Sequence, residues 1–402
     1  MDSLLSFALS VQIVLAILAP GIPINGRNLF LSDLWVFVSF FVMALESRWI
    51  GWRPDRKLIR RLFSLVALFG ILYVHGKARG EFPPGFENLY AIGTLESSQF
   101  NPEHEFVMAF RYLSWIVEGV WLWSLLEKMD ADRRSDLQKA MFKALSGIVV
   151  SAAGLTIMCG LSSSFSEFLA GIYGYAADEM KTWAGRGFGP FRTPFEAALT
   201  LAPSGLLILS FFPDSVPDRL FRKGALLLTA LGTLVSRSMI SISAIVVAWF
   251  LTRVGTMKAR VRVLTVVAVA FVISVLFVAA PQFVAAKTWD LAHHLGPWQM
   301  FLGMMVSRWD MILLGFGFHP VNVDNAYIFM LFKFGIVGSA ALGFWAVRWG
   351  RKYWSYWTSS QREVILFLLI SGLALDTFII RPLVMVFIAA GLPLLYPNRS
   401  VE

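Results

Sequence analysis

The sequence predicts an all-α, polytopic integral membrane protein that forms a single transmembrane domain over residues 1–402. Three observations carry this. Hydrophobic residues make up 57% of the chain and charged residues 15%, against about 45–50% and about 25% in soluble proteins. The apolar residues are gathered into runs, and a helix needs about 20 of them to cross the hydrocarbon core. The charges between the runs form short clusters whose basic content alternates from one side to the other. Lipid offers the backbone no hydrogen-bond partners, so spanning runs of this kind must be helical.

About twelve spans are predicted, near 4–22, 29–46, 62–76, 106–126, 144–162, 194–212, 224–236, 240–252, 263–280, 325–345, 363–380 and 383–397. The first has no basic stretch before it and leads directly to another span, so it reads as a retained helix and not a cleaved leader. The seventh and eighth are short and are read as two helices meeting at Ser236-Arg237-Ser238. Charge supports that turn. With the N-terminus inside, 23 of the 35 Lys and Arg fall on the inner side and ten on the outer side, while Arg111 and Lys333 lie within spans. This follows the positive-inside rule, and it holds only if the chain reverses at Arg237. Both termini are then cytoplasmic. The long outer segments are about 77–105, 163–193 and 281–324. No internal repeat is visible, which argues against a repeat-built transporter.

Several chemistries are excluded. The single cysteine, Cys159, rules out an intramolecular disulfide and a cysteine metal site. His293 and His294 are adjacent, without further ligands around them, and His104 in "NPEHEF" lacks the second His of a zinc helix. No metal site is expected. There is no phosphate-binding P-loop, nucleophile elbow or dinucleotide fingerprint. The net charge of +9 reads as a topology signal, so no nucleic-acid partner is expected.

Four arginines stand next to helix ends on the predicted outer side. Arg186 and Arg192 lie in "GRGFGPFRTPFEAAL", Arg237 in "LVSRSMIS" and Arg308 in "VSRWDMILLGFGF". Arginine stays charged and presents a planar fork that suits phosphate, so several converging on one pocket would seat a diphosphate. Their bland alternative is interfacial snorkelling, or pairing with Glu196, Asp310 or Asp376. The glycines beside Arg186 would let backbone approach a ligand closely, or would simply shape the loop before the sixth span.

The stretch "HPVNVDNAYIFMLFKFGIVGS" carries polar groups into the tenth span. Asp324 and Asn325 would cap the first turn of that helix. Asp324 is also a candidate base for an attacking hydroxyl. His319 is a second candidate, as base or for orienting a substrate.

Four segments resemble the bacterial O-antigen ligase and polysaccharide polymerase family. "RGFGPFRTPFEAA" at 186–198 is similar to the family's R-x-x-G-x-F-x-x-P pattern, and "SRS" at 236–238 to its S-R-G turn. "SRWDMILLGFGF" at 307–318 is similar to its Arg-containing segment leading to G-x-G-F. "DNAYIFMLFKFGIVG" at 324–338 is similar to the ligase pattern H-N-x9-G-x-x-G, with Asp324 where that pattern has His.

By motif, the resemblance covers roughly 140–350 as the family core, with 281–324 as a large periplasmic loop. It implies a GT-C-like glycosyltransferase of the bacterial inner membrane. Such an enzyme would polymerise polyprenyl-diphosphate-linked oligosaccharide on the periplasmic face, without cofactor or nucleotide. Arg186, Arg237, Arg308 and Arg192 would hold the diphosphate, Asp324 or His319 would act on the acceptor, and Asn325 would orient it. Its partners would be the lipid-linked glycan, the bilayer, and a chain-length regulator and flippase of the same pathway. The alternatives are an O-antigen ligase that transfers glycan to lipid A core, and a transporter or flippase for a lipid-linked sugar. Asp324 in place of His favours the polymerase over the ligase.

Overall fold

A computed structural model describes residues 3–19, 22–24, 27–29, 31–79, 102–174, 185–213, 215–254, 299, 303, 306, 308–317, 326–372 and 380–397. Among these residues the chain is almost entirely helical. The helices are α1 (Ser3–Ile17), α2 (Leu31–Trp49), α3 (Arg56–Arg79), α4 (Pro102–Lys128), α5 (Ala131–Leu161), α6 (Ser163–Tyr173), α7 (Pro194–Ser210), α8 (Val216–Val235), α9 (Met239–Val254), α10 (Trp309–Leu314), α11 (Ala326–Tyr353), α12 (Ser359–Ser371), α13 (Arg381–Val386) and α14 (Leu392–Leu395). A helix lies at eleven of the twelve predicted spans; the remaining one, 263–280, falls outside the described residues. Among the described residues, three helices are long and apolar enough to cross a membrane: Arg56–Ala78, Ala131–Leu161 and Ala326–Tyr353.

The all-α expectation holds, with one short hairpin beside the helices. Strands β1 (Ile22–Ile24) and β2 (Arg27–Leu29) pair antiparallel, with Ile24 opposite Arg27. The two residues between them in the sequence are Asn25-Gly26, the dipeptide that most favours a two-residue hairpin loop. The apolar run continues into β1, so the hydropathy pattern alone concealed the strand.

The core is built around α1, α5, α7 and the last helical segments. α5 and α7 both pack on α8, α1 packs on α2, α5 and α13, and α12 packs on α7 and α9. Nearly all of α7 is buried, including Ala197, Ala198, Leu199, Leu201 and Ile208. A helix that is apolar all round belongs inside a bundle. In contrast, α3 exposes Ile59, Phe63, Val66, Ile71 and Val74, which suits a helix with a lipid-facing side.

Local chemistry sets the helix ends. Asp130 caps α5 by accepting from the Arg133 N–H at 2.8 Å. α12 opens with a reciprocal Thr358–Gln361 capping box. Between α13 and α14 the chain widens into a π-turn over Phe387–Gly391, two residues ahead of Pro393. The proline has no N–H, and its ring would clash with a regular preceding turn. The carbonyls at this C-terminal end accept from side chains. Gln138 donates to Pro393 and Tyr396, both at 2.9 Å, while Gln361 donates to Leu394 and Trp357 to Leu395, both at 2.8 Å. Unpaired helix-end carbonyls are thereby satisfied inside the bundle.

α11 is broken. Gly335 has φ 60° and ψ −171° in mid-helix. The loop after α10 crosses at this point, where the Phe316 N–H donates to the Phe332 carbonyl at 2.6 Å and Gly317 to Lys333 at 3.2 Å. These carbonyls lose their partners in the helix at the break and regain them from the loop. The crossing needs two glycines. A Cβ on Gly315 would stand 2.6 Å from the Gly335 nitrogen, and one on Gly335 would overlap the Leu313 carbonyl.

Candidate functional site: the Arg186–Arg237 turn

The helix break expected at Ser236-Arg237-Ser238 is present: α8 ends at Val235 and α9 begins at Met239. The two serines are structural. Ser236 is buried and its Oγ donates to the Thr233 carbonyl at 2.6 Å. Ser238 is buried and caps α9, its Oγ accepting from the Ser241 N–H at 3.4 Å and sharing a bond with Ser241 Oγ at 3.1 Å. Arg237 between them is exposed and has φ 53°, the one positive φ among the described non-glycine residues. The left-handed region costs an L-residue about 1–2 kcal/mol. Such strain gathers at ligand clamps and active sites.

The loop 185–193 lies over this turn. Gly187 N–H donates to the Val235 carbonyl at 3.1 Å. Arg186 donates from Nε to the Ser236 carbonyl at 3.1 Å and from Nη2 to the Arg237 carbonyl at 3.3 Å. Three consecutive carbonyls at the end of α8 are thus capped from one loop, and a cation there complements the negative end of the helix dipole. The Arg186 guanidinium also sits 4.7 Å from the Phe195 ring centroid. Its glycine neighbours allow the close approach. A Cβ on Gly187 would overlap the Thr156 carbonyl of α5, and one on Gly189 would overlap the Thr156 hydroxyl. Phe188 and Phe191 are buried and anchor the loop.

Arg186 and Arg237 are therefore brought together. Burial, and then the neighbouring Arg237 charge, pull Arg186 below the usual guanidinium range; it remains a cation at any physiological pH. Among the described residues no carboxylate pairs with Arg237. Two like charges at short range favour an anion between or beside them.

The other candidates fall differently. Arg192 is exposed on the same loop, and its backbone N–H donates to Glu196 at 3.1 Å, next to the Thr193 cap of α7. Arg308 is held by Asp310 through Nε and Nη2, both at 3.0 Å, one of the pairings weighed from the sequence. That bond holds the Asp310 carboxyl below its ordinary range. His319, Asp324 and Asn325 lie outside the described residues. The first described residue of α11, Ala326, donates its N–H to the Gly372 carbonyl at 2.8 Å, tying the start of α11 to the end of α12.

The sequence reading missed several polar groups. His75 stands within electrostatic range of Asp310, and its Nε2 is buried without a hydrogen bond. It ends an apolar run two residues before Lys77, and a histidine in that place was the available signal. Arg111 was noted only as lying in a span; it meets Asp33 at 2.9 Å, while Arg381 donates to Ser32. Lys333 is 1% exposed, with Nζ 5.3 Å from the Phe329 ring centroid and 5.9 Å from that of Phe332. Glu118 is fully buried against Gln12 at 3.0 Å, and Gln12 in turn accepts from Ser39 at 3.0 Å. Among the described residues no group of three or more His, Cys, Asp or Glu gathers to hold a metal ion.

No protein-family model and no curated protein matches the chain.

Proposed function

We propose that the protein is a membrane glycosyltransferase that extends glycans carried on polyprenyl diphosphate, working at the membrane face where the Arg237 turn lies. One observation carries the reading. Arg237 is held in a strained, exposed conformation by two buried serines, with the Arg186 cation beside it. A preorganised pair of guanidinium groups stabilises charge that develops on a leaving diphosphate. In the step proposed, an acceptor hydroxyl oxygen bonds to the anomeric carbon. The bond from that carbon to the diphosphate oxygen breaks, and the diphosphate leaves on its polyprenol. The hydroxyl proton goes to Asp324 or His319. The motif order from Arg186 to Gly338 supports this reading, as does the basic character of the segments at the opposite face. On that charge distribution we place the site on the periplasmic face of a bacterial inner membrane, with both termini cytoplasmic.

A specific observation favours a second reading. α11 is interrupted at Gly335, beside buried Lys333. The break is nine residues from the start of the helix, about 14 Å at 1.5 Å per residue. Interrupted helices with a buried charge are the hallmark of transporter sites, here for a lipid-linked sugar.

The test is to incubate the purified protein in nanodiscs with polyprenyl-diphosphate oligosaccharide and no nucleotide sugar. A ladder of longer lipid-linked glycans supports the polymerase. Product that forms only once lipid A core is added points to a ligase. Movement of the donor across the bilayer without a new bond supports the transporter.

A further inference from the structure

At the opposite end of α5 from the Arg186 loop, the ends of α4, α5, α11 and α14 line a half-open pocket of about 360 Å³. It is lined by Glu127, Lys128, Met129, Arg134, Lys352 and Tyr396. Arg134 and Thr156 are 22 residues apart on one helix, about 33 Å at 1.5 Å per residue, so this cavity is separate from the Arg237 turn.

The cavity carries excess positive charge. Its carboxylate is committed: Glu127 accepts from Lys352 Nζ at 2.8 Å and also from the Tyr353 hydroxyl. Nearby, Asp130 is spent on capping α5 and on Arg133 at 3.5 Å, and Asp132 is exposed. Lys128 and Arg134 remain. Arg134 donates from Nη1 to the Leu126 carbonyl at 3.1 Å and lies 4.9 Å from the Tyr396 ring centroid. Its Nε is buried without an acceptor. A buried donor on a charged group is costly to leave unmade, and an anion in the cavity would supply what is missing.

The surroundings identify the source of that anion. Next to Tyr353 the chain exposes Trp354 and Tyr356, while Trp123, Tyr353, Trp357 and Tyr396 pack behind them in the core. Trp and Tyr gather at the depth of lipid headgroups. A basic pocket between helix ends at that depth matches the phosphate of an anionic lipid. We propose that this cavity binds the phosphate group of an anionic phospholipid, with Arg134 and Lys128 on the phosphate oxygens and the acyl chains along the adjoining apolar helix surface.

The test uses the full-length protein in detergent and follows its thermal unfolding with added phosphatidylglycerol, phosphatidylcholine or inorganic phosphate. Phosphatidylglycerol raises the midpoint of the wild type, phosphatidylcholine does not, and millimolar phosphate does not displace the lipid. Arg134→Gln weakens the apparent affinity for phosphatidylglycerol roughly fivefold, equivalent to about 1 kcal/mol for one cation near a lipid surface. Lys128→Gln, at an exposed position, does the same and decides the matter if the first variant does not fold. Equal effects of the two lipids, or an unchanged affinity in the variants, would overturn the proposal. Inorganic phosphate matching phosphatidylglycerol would also overturn it, leaving a free-anion site.

Discussion

The Arg186 guanidinium donates from Nη2 to the carbonyl oxygen of Arg237 at 3.3 Å. One arginine fixes the backbone from which the other projects. The two residues are 51 apart in the sequence, and their relationship separates a structural cation from a presented one. Arg237→Gly removes the guanidinium and also relieves the positive φ. Its thermal stability should equal or exceed the wild type by about 1 kcal/mol, while glycan extension falls at least about a hundredfold. A calorimetric scan and a product gel on the same preparation read both quantities.

Arg186→Ala should behave differently. It deletes two charge-assisted bonds to the end of α8 and should cost about 1–3 kcal/mol of stability. Arg186→Lys keeps the charge but not the fork, and should recover part of the stability and little of the activity. Comparing the unfolding midpoints of the two variants with their turnover checks this.

The Gly315–Gly335 crossing should tolerate no side chain. Gly335→Ala places a Cβ against the Leu313 carbonyl at a conformation reserved almost wholly for glycine. A loss of at least about 3 kcal/mol is expected, seen as low yield of monodisperse protein and a lowered midpoint. Gly343→Ala, with open space around it, is the control and should be silent.

Arg308 is occupied by Asp310, so Arg308→Ala should reduce activity by no more than about fivefold, far less than loss of Arg237. The pair also sets a direction with pH. The Arg308 hydrogen bonds depress the Asp310 carboxyl. Its contribution is therefore fully present above the ordinary aspartate value of about 4, and is lost as pH falls through the lowered one. The midpoint difference between wild type and Asp310→Asn should be flat from about pH 5 to 8 and shrink only in strong acid. A pH series of melts shows whether it does.

Helix positions were legible because an apolar run has few other solutions in lipid. The helix break at Arg237 was legible from charge bookkeeping, since omitting a turn there would invert the expected side of every later loop. What sequence could not show was how the arginines divide their work. The carbonyls that Arg186 caps belong to a segment 50 residues away, and a cap of that kind leaves no local pattern. The partner of Arg308 was visible two positions on, but spacing did not reveal that both nitrogens of its fork would be used. The break in α11 was hidden because Gly335 reads as an ordinary membrane-helix glycine until Phe316 and Gly317 cross it. The hairpin before α2 was overlooked because its first strand ends an apolar run.

The most direct measurement is glycan extension by Arg237→Gly, compared with wild type and Asp324→Ala, in nanodiscs with polyprenyl-diphosphate oligosaccharide as sole substrate. The account predicts a ladder from the wild type and none from either variant, with Arg237→Gly at least as thermally stable as the wild type. A full ladder from a folded Arg237→Gly protein would contradict it, because the presented arginine would then have no part in transfer.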